Sequence, residues 1–295
     1  MANEVAVLVN PTSGKGRGGR AAAIAVPHLE QAGLRVRRLE GRTVEEAYEL
    51  AQSVVRDGAD GLVVVGGDGM VHLACQALAG SDLPLGVIPA GTGNDTAREL
   101  GIDRKDPRRA ANAVIAGHLR SIDLADVAGT RVATVVATGF DAKVNERANH
   151  MTWPRGQMRY NLATVAELRV FEPIRFALEL DGRPYELDAM LVSVGNAPSY
   201  GGGLRICEGA EIDDGLLDVA IVKPVGKAEL IRMYPRLFNG SHVKHRQFER
   251  HRVRRVSIAA PDIVAYGDGE RLGPLPLTIT ALPGALRVFA PDPPS

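Results

Sequence analysis

Cysteine is scarce in this sequence: Cys75 and Cys207 are the only two in 295 residues, and both sit in apolar surroundings. Two such thiols exclude a disulfide framework or a thiolate metal cage, and buried free thiols suit a reducing compartment. Net charge is also lacking, because 35 basic residues balance 35 acidic ones. Whole-molecule attraction to nucleic acid is therefore not indicated, and no nucleic-acid partner is expected. No apolar run reaches the length that spans a bilayer. Met1-Ala2-Asn3-Glu4 lead straight into a strand-like stretch and leave no room for a signal peptide, so a cytoplasmic protein is expected. Neither a fixed-period repeat nor a long low-complexity segment is present.

Glycine, by contrast, is plentiful, and two glycine turns organise the chain. Leu62-Val63-Val64-Val65 runs into Gly66-Gly67-Asp68-Gly69, and Leu85-Gly86-Val87-Ile88-Pro89-Ala90 runs into Gly91-Thr92-Gly93-Asn94-Asp95. Each reads as a buried strand, a turn and a helix start. A parallel sheet would bring both turns to the carboxyl edge of its strands, where open α/β sheets bind ligands. Glycine lets backbone N–H groups approach a phosphate, and aspartate can hold Mg²⁺ through water. The pair points to a nucleotide site.

The pattern predicts strands at 5–9, 34–39, 62–65, 85–88 and 120–127, alternating with helices at 20–32 (with Pro27 as a kink or early break), 44–56, 70–79, 94–100 and 106–116. Thr43-Val44-Glu45-Glu46 has capping-box spacing. Alternation of this kind implies right-handed crossovers and a parallel sheet. Beyond residue 128 the texture becomes mostly β. Strands are expected at 131–138, 174–180, 185–194, 217–222, 252–259, 262–266 and 276–281, with Asp181-Gly182 as a hairpin turn and helices at 157–171 and 226–238. The length suits two domains: 1–128, an α/β domain, and 129–285, a β-rich one. A final strand at 286–289 would return to the first domain.

Gly14-Lys15-Gly16-Arg17-Gly18-Gly19, read as a flexible basic loop, matches G-x-G-x-x-G, and Glu40 stands where a ribose-binding acid would. An NAD-binding oxidoreductase is the alternative this raises. Against it, Asn10 to Ser13 separate the first strand from the first glycine, whereas a dinucleotide turn sits almost directly at the strand end. The Walker pattern fails because Gly16, not Ser or Thr, follows Lys15.

Six stretches in order resemble the diacylglycerol kinase catalytic-domain family, which includes bacterial lipid kinases and the sphingosine and ceramide kinases. They are Asn10-Pro11 with Ser13-Gly14, the two glycine turns, Thr138-Gly139-Phe140-Asp141-Ala142, Ala210 to Asp218, and Gly267-Asp268-Gly269-Glu270. The likeness runs from about residue 4 to 290. An NAD kinase shares a turn like Gly66 to Gly69 but not the later motifs.

The resemblance implies an N-terminal α/β nucleotide domain, a C-terminal, mainly antiparallel β-sandwich domain and a cleft between them. There the γ-phosphoryl group of ATP would pass to a lipid hydroxyl, with diacylglycerol giving phosphatidic acid. Asn10, Pro11, Thr12, Ser13, Gly14, Thr43, Gly66, Gly67, Asp68, Gly69, Met70, Val71 and Thr92 would hold ATP, with Asp68 holding Mg²⁺ indirectly; Asp95 and Asp123 are weaker candidates. Asp268 would be the general base and Glu270 would support the metal and water network. Glu211, Asp214 and the carbonyl of Leu216 would form a second, structural Mg²⁺ site. Four positions depart from the family: Met70 replaces its usual Thr, His72-Leu73 its Asn-Glu pair, and Thr96 its aromatic. They raise a catalytically weak lipid- or nucleotide-binding relative as a further alternative.

A lipid acceptor implies peripheral contact with the inner face of the membrane. Arg232, Arg236, Lys244, Arg246, Arg250, Arg252, Arg254 and Arg255 offer a basic stretch for that contact, and Trp153 a second point. A homodimer is left open.

Overall fold

The computed structural model describes residues 4–11, 13–151, 153, 158, 162–164, 166–167 and 172–291. It divides into two compact units: Met1–Leu124 with Ile212–Asp214 and Leu282–Ser295, and Ala125–Glu211 with Gly215–Ala281.

The first unit alternates β1 (Glu4–Val9), α1 (Ser13–Gln31), β2 (Arg35–Glu40), α2 (Val44–Asp57), β3 (Gly61–Gly66), α3 (Asp68–Leu78), β4 (Leu85–Pro89), α4 (Asp95–Glu99) and α5 (Pro107–Ala116). The strands lie parallel in the order β2-β1-β3-β4. Val5–Val9 and Leu62–Val65 are wholly buried, as parallel strands covered on both faces must be. α1 packs with α5, and α2 with α3. β2 is the edge strand, and its arginines make it a poor template for further pairing. The last strand, β16 (Leu277–Phe289), ends in this unit, parallel to β4 through Val288 and Leu85.

The first loop departs from expectation. Residues 14–19 are not a flexible loop but the opening turns of α1, and Pro27 lies inside that helix without ending it. The buried face of Ala21, Ala22, Ala25 and Leu29 holds α1 to the sheet, which outweighs the roughly 3 kcal/mol cost of an interior proline. With these glycines helical, the tight pyrophosphate turn of a dinucleotide fold is absent, and Glu40 pairs with Arg38 at 2.6 Å.

The second unit is entered along β5 (Leu119–Val127). It continues with β6 (Thr130–Val132), β7 (Val135–Ala137), α6 (Phe140–His150), β8 (Ile174–Leu180), β9 (Arg183–Ala189), β10 (Leu191–Gly195), β11 (Leu217–Val222), α7 (Lys227–Leu237), a 3-10 turn at Ser241–Lys244, β12 (Phe248–Val253), β13 (Arg255–Ala259), β14 (Val264–Gly267) and β15 (Glu270–Pro274). One antiparallel sheet runs β12-β11-β10-β7-β14-β15, and the start of β16 pairs with β13 in another that continues β16-β13-β8-β9. Phe176, Leu178, Val194, Val219, Ile221, Val256 and Ile258 form the core between them. This is the antiparallel sandwich.

Three expected strands are each split. Residues 131–138 become β6 and β7, 185–194 become β9 and β10, and 252–259 become β12 and β13. At every split the chain passes from one sheet to the other. At the third, the Asp181 carboxylate accepts the N–H groups of Arg254 and Arg255 at 3.0 and 2.9 Å. Conversely, the segments expected at 276–281 and 286–289 are one strand, β16. α6 was not anticipated, and most of the expected helix at 157–171 lies outside the described residues. Among the described residues no helix is long and apolar enough to cross a membrane.

The outer face of the six-stranded sheet carries a second core, with Phe140, Val144, Ile206, Leu230 and Met233. His242 is buried beside it, edge-on to Phe248 at 5.0 Å, with Nε2 3.1 Å from the Ile206 carbonyl. Burial holds its pKa below the ordinary value, against the opposing pull of the Ile206 carbonyl and the Glu208 charge. The unfolded chain therefore binds a proton that the folded chain resists. Stability is fully present above the unfolded pKa of about 6.5 and falls as pH drops below it. Thermal unfolding followed across that range should show a smaller slope in His242→Gln than in the native chain; equal slopes would remove His242 as the source.

Candidate active site

The two glycine turns meet backbone to backbone. A Cβ on Gly91 would lie 2.5 Å from Gly67 Cα, and one on Gly67 would lie 3.0 Å from Gly91 Cα. Real Cβ contacts do not close to the first distance, so glycine is required there for the β3 and β4 turns to stack. The Ala90 N–H also donates to the Gly66 carbonyl at 2.7 Å. Asp68 completes the link: its Oδ2 accepts the Asn94 N–H and its Oδ1 the Asp95 N–H, both at 2.7 Å. Asn94 stands in the left-handed region at φ +53°, and its side chain accepts the Gly91 N–H at 2.9 Å. Asp68 is thus the first residue of α3 and the anion at the start of α4.

β1 delivers its loop to the same edge. The Asn10 N–H donates to the Val65 carbonyl, and Asn10 Oδ1 accepts the Ser13 N–H at 3.1 Å. Pro11 forms the turn, Ser13 and Gly14 open α1, and Thr12 lies outside the described residues. A Cβ on Gly66 would come within 3.6 Å of Ser13 Oγ, so the loops after β1 and β3 adjoin. Two helix N-termini, those of α1 and α3, therefore stand side by side. Their backbone N–H groups favour an anion.

Thr43 caps α2, accepting the Glu46 N–H at 3.2 Å, while Glu46 returns to the Arg42 N–H at 2.8 Å. Gly69 and Thr92 are exposed, one on each turn, and Val71 is buried. Asp95 is buried and paired with Arg98. Asp123 is buried and accepts the Gly284 N–H at 2.7 Å; it fastens the middle of β16. The positions that depart from the family are packing positions: Met70, Leu73 and Thr96 are buried, and the His72 carbonyl accepts Gln76 Nε2 at 3.0 Å. Met70 lies over Gly66, 2.5 Å from where a Cβ would stand.

In the second unit, Asp268 and Gly269 form the two-residue turn between β14 and β15, with φ +52° and +90°. Asp268 Oδ1 accepts both the N–H of Thr134 at 2.9 Å and its hydroxyl at 2.6 Å, and Oδ2 accepts the Ala133 N–H at 2.9 Å. These donors are the residues between β6 and β7. The strand expected over 131–138 breaks there because its amides turn to the carboxylate rather than to a ladder. Asn196 holds the segment from the other side, with Nδ2 donating to the Ala133 carbonyl at 3.0 Å and its N–H to the Thr134 carbonyl at 2.8 Å. Glu270 is exposed at the head of β15. Thr134 and Asn196 were missed from sequence, since the first sits in an apolar run that reads as plain strand.

Glu211 is exposed, and Asp214 and Leu216 are half-buried on the turn before β11. In the first unit, Asp213 pairs with Arg120 at 2.7 Å, and the Ile212 carbonyl accepts the Asp123 N–H at 2.8 Å. The Arg120 hydrogen bond lowers the Asp213 pKa, and the same bond raises that of Arg120. Among the described residues no three His, Cys, Asp or Glu side chains gather as a metal cage.

Residues 4–127 match the model of the diacylglycerol kinase catalytic domain, and residues 134–290 that of the YegS C-terminal NAD kinase beta sandwich-like domain. The chain is similar to a protein named diacylglycerol kinase from Mycobacterium tuberculosis (strain ATCC 25618 / H37Rv), 43% identical over 98% of this chain and 95% of that one. It is also similar to one of the same name from Bacillus subtilis (strain 168), 30% identical over 92% of this chain and 90% of that one. In fold it is similar to a diacylglycerol kinase crystal structure from Bacillus anthracis str. Sterne, with TM-score 0.76, 22% identity and 98% and 97% of the two chains covered. The likeness takes in the paired glycine turns of one unit and the Asp268 hairpin of the other, so the chain belongs to the diacylglycerol kinase family.

Proposed function

We propose that this chain transfers the γ-phosphoryl group of ATP to the hydroxyl of a lipid, with diacylglycerol as acceptor and phosphatidic acid as product. The observation that carries this reading is the 43% identity, over nearly the whole chain, to a protein named diacylglycerol kinase. The geometry supports it. Bound ATP and Mg²⁺ would supply the phosphoryl group and neutralise its charge. Asn10, Pro11, Thr12, Ser13 and Gly14, with Gly66 to Val71 and Thr92, would line the phosphate site at the ends of β1, β3 and β4. Thr43 would contribute the N-terminus of α2. Asp68, fixed by two amides, would orient metal-bound water. Glu211, Asp214 and the Leu216 carbonyl remain a proposed structural Mg²⁺ site.

Asp268 is proposed to take the proton of the acceptor hydroxyl. As the hydroxyl oxygen bonds to phosphorus, the bond to the ADP oxygen breaks and the proton passes to the carboxylate. Glu270 would order the surrounding water. The donors on Asp268 matter because an ordinary carboxylate is a weak base and gains most from fixed orientation. The test is phosphate transfer from labelled ATP to a lipid extract. Labelled phosphatidic acid is the expected product; a different labelled lipid would change the acceptor, and no labelled lipid would overturn the reading.

A further inference from the structure

Helix α7 has two apolar faces. Leu230 and Met233 point inward and are buried in the outer-face core. Ala228, Ile231, Pro235 and Phe238 recur at i, i+3, i+7 and i+10, which places them on one stripe of an α-helix. All four are exposed, and Ile231 and Phe238 keep 55% and 50% of their surface in solvent. Phe238 is held in place, edge-on to Tyr234 at 5.8 Å. A large aromatic fixed on an exposed apolar stripe marks a surface suited to contact with something other than water.

The flank of that stripe is basic. Arg232 and Arg236 lie one turn apart, with Glu229 one turn earlier, and border an open groove of about 480 Å³ lined also by Ala228, Met233 and His245. Glu229 is engaged by His245 at 2.8 Å, and among the described residues no ion pair reaches either guanidinium. Arg250, elsewhere in the basic stretch, differs. It turns to the buried Asp218 and the Gly209 carbonyl, and so serves the fold.

Apolar side chains beside unneutralised arginines on the outward side of one helix fit an interface of acyl chains beneath anionic headgroups. We infer that the outward face of α7 is the surface by which the chain sits on an anionic lipid bilayer, with Ile231 and Phe238 entering the acyl boundary and Arg232 and Arg236 meeting headgroup phosphates. This deepens the lipid-kinase reading and rests on it for the reason such a surface exists.

The test is co-sedimentation of the full chain with vesicles of phosphatidylcholine, with and without phosphatidylglycerol. Native chain should bind the anionic vesicles more tightly, and less so in high salt. Arg232→Glu with Arg236→Glu should weaken that binding about thirtyfold or more, since two lost basic contacts represent about 2 kcal/mol. Ile231→Asp with Phe238→Asp should weaken binding to both vesicle types, while the unfolding temperature stays unchanged. Unaltered vesicle binding in both pairs overturns the inference. So does a lower solution mass in the Ile231→Asp, Phe238→Asp variant by light scattering, since the stripe would then cover a second copy of the chain. Transfer to a water-soluble short-chain diacylglycerol separates the two readings. Its loss in the native chain defeats the kinase reading, whereas its retention with unchanged vesicle binding in the variants defeats only the surface.

Discussion

Asp268→Asn is expected to lower turnover by about 10²- to 10⁴-fold, the usual worth of a positioned general base, with ATP affinity unchanged. Asparagine is the sharper substitution than alanine for two reasons. Asp268 stands at φ +52°, a region asparagine adopts more readily than alanine. Alanine would also leave the Ala133 N–H and the Thr134 N–H and hydroxyl without their acceptor, at a cost of about 1–3 kcal/mol for each buried group. A loss in Asp268→Ala could then be a loss of the hairpin. Thr134→Val separates the roles further. It removes one donor of three and keeps both backbone contacts, so it should reduce kcat by less than Asp268→Asn does, with KM for ATP unmoved. Native turnover in Asp268→Asn would end the assignment of Asp268 as base. Equal losses in Thr134→Val and Asp268→Asn, together with a lowered unfolding temperature in both, would make the aspartate a hairpin clasp only.

The difference between what sequence could and could not convey is visible in the same residues. The parallel sheet was legible because Val5–Val9 and Leu62–Val65 are uninterrupted apolar runs that end in turns, and a strand buried on both faces leaves that trace. The Asp181-Gly182 hairpin was legible because Asp-Gly tolerates two positive φ values in succession, as Asp268-Gly269 also shows. The breaks at 133–134, 190 and 254 were not, since continuing β character hides a change of sheet. What marks those points is a carboxylate or amide distant in sequence: Asp268 and Asn196 at the first, Asp181 at the last. The glycines at 14–19 misled for the opposite reason. Glycine allows a loop, but Gly18 must be small because a Cβ there would lie 2.1 Å from the Asn10 carbonyl oxygen. Its smallness serves a helix packed on the preceding turn.

Asp68→Ala is expected to destabilise the first unit as well as abolish transfer. The Asn94 and Asp95 N–H groups both end on the Asp68 carboxylate, and hydrogen bonds to a charged acceptor contribute about 1.5–3 kcal/mol each. Their loss should lower stability by about 2–4 kcal/mol when solvent reaches part of the site. It also releases Asn94 from a left-handed conformation that the contact helps to impose. A purely metal-holding aspartate would behave differently, since its removal relieves charge and leaves the apo fold intact or firmer. Asp68→Asn distinguishes the two roles. Its amide oxygen can still accept one of the N–H groups, so much of the stability should return. The lost charge should still raise the Mg²⁺ concentration needed for half-maximal turnover. An unchanged Mg²⁺ titration in Asp68→Asn would assign Asp68 to the turns alone. An unchanged unfolding temperature in Asp68→Ala would assign it to the metal alone. The expected result is a shift in both, because the carboxylate that binds the two turns together is set at the sheet edge where the α1 and α3 N-termini favour phosphate.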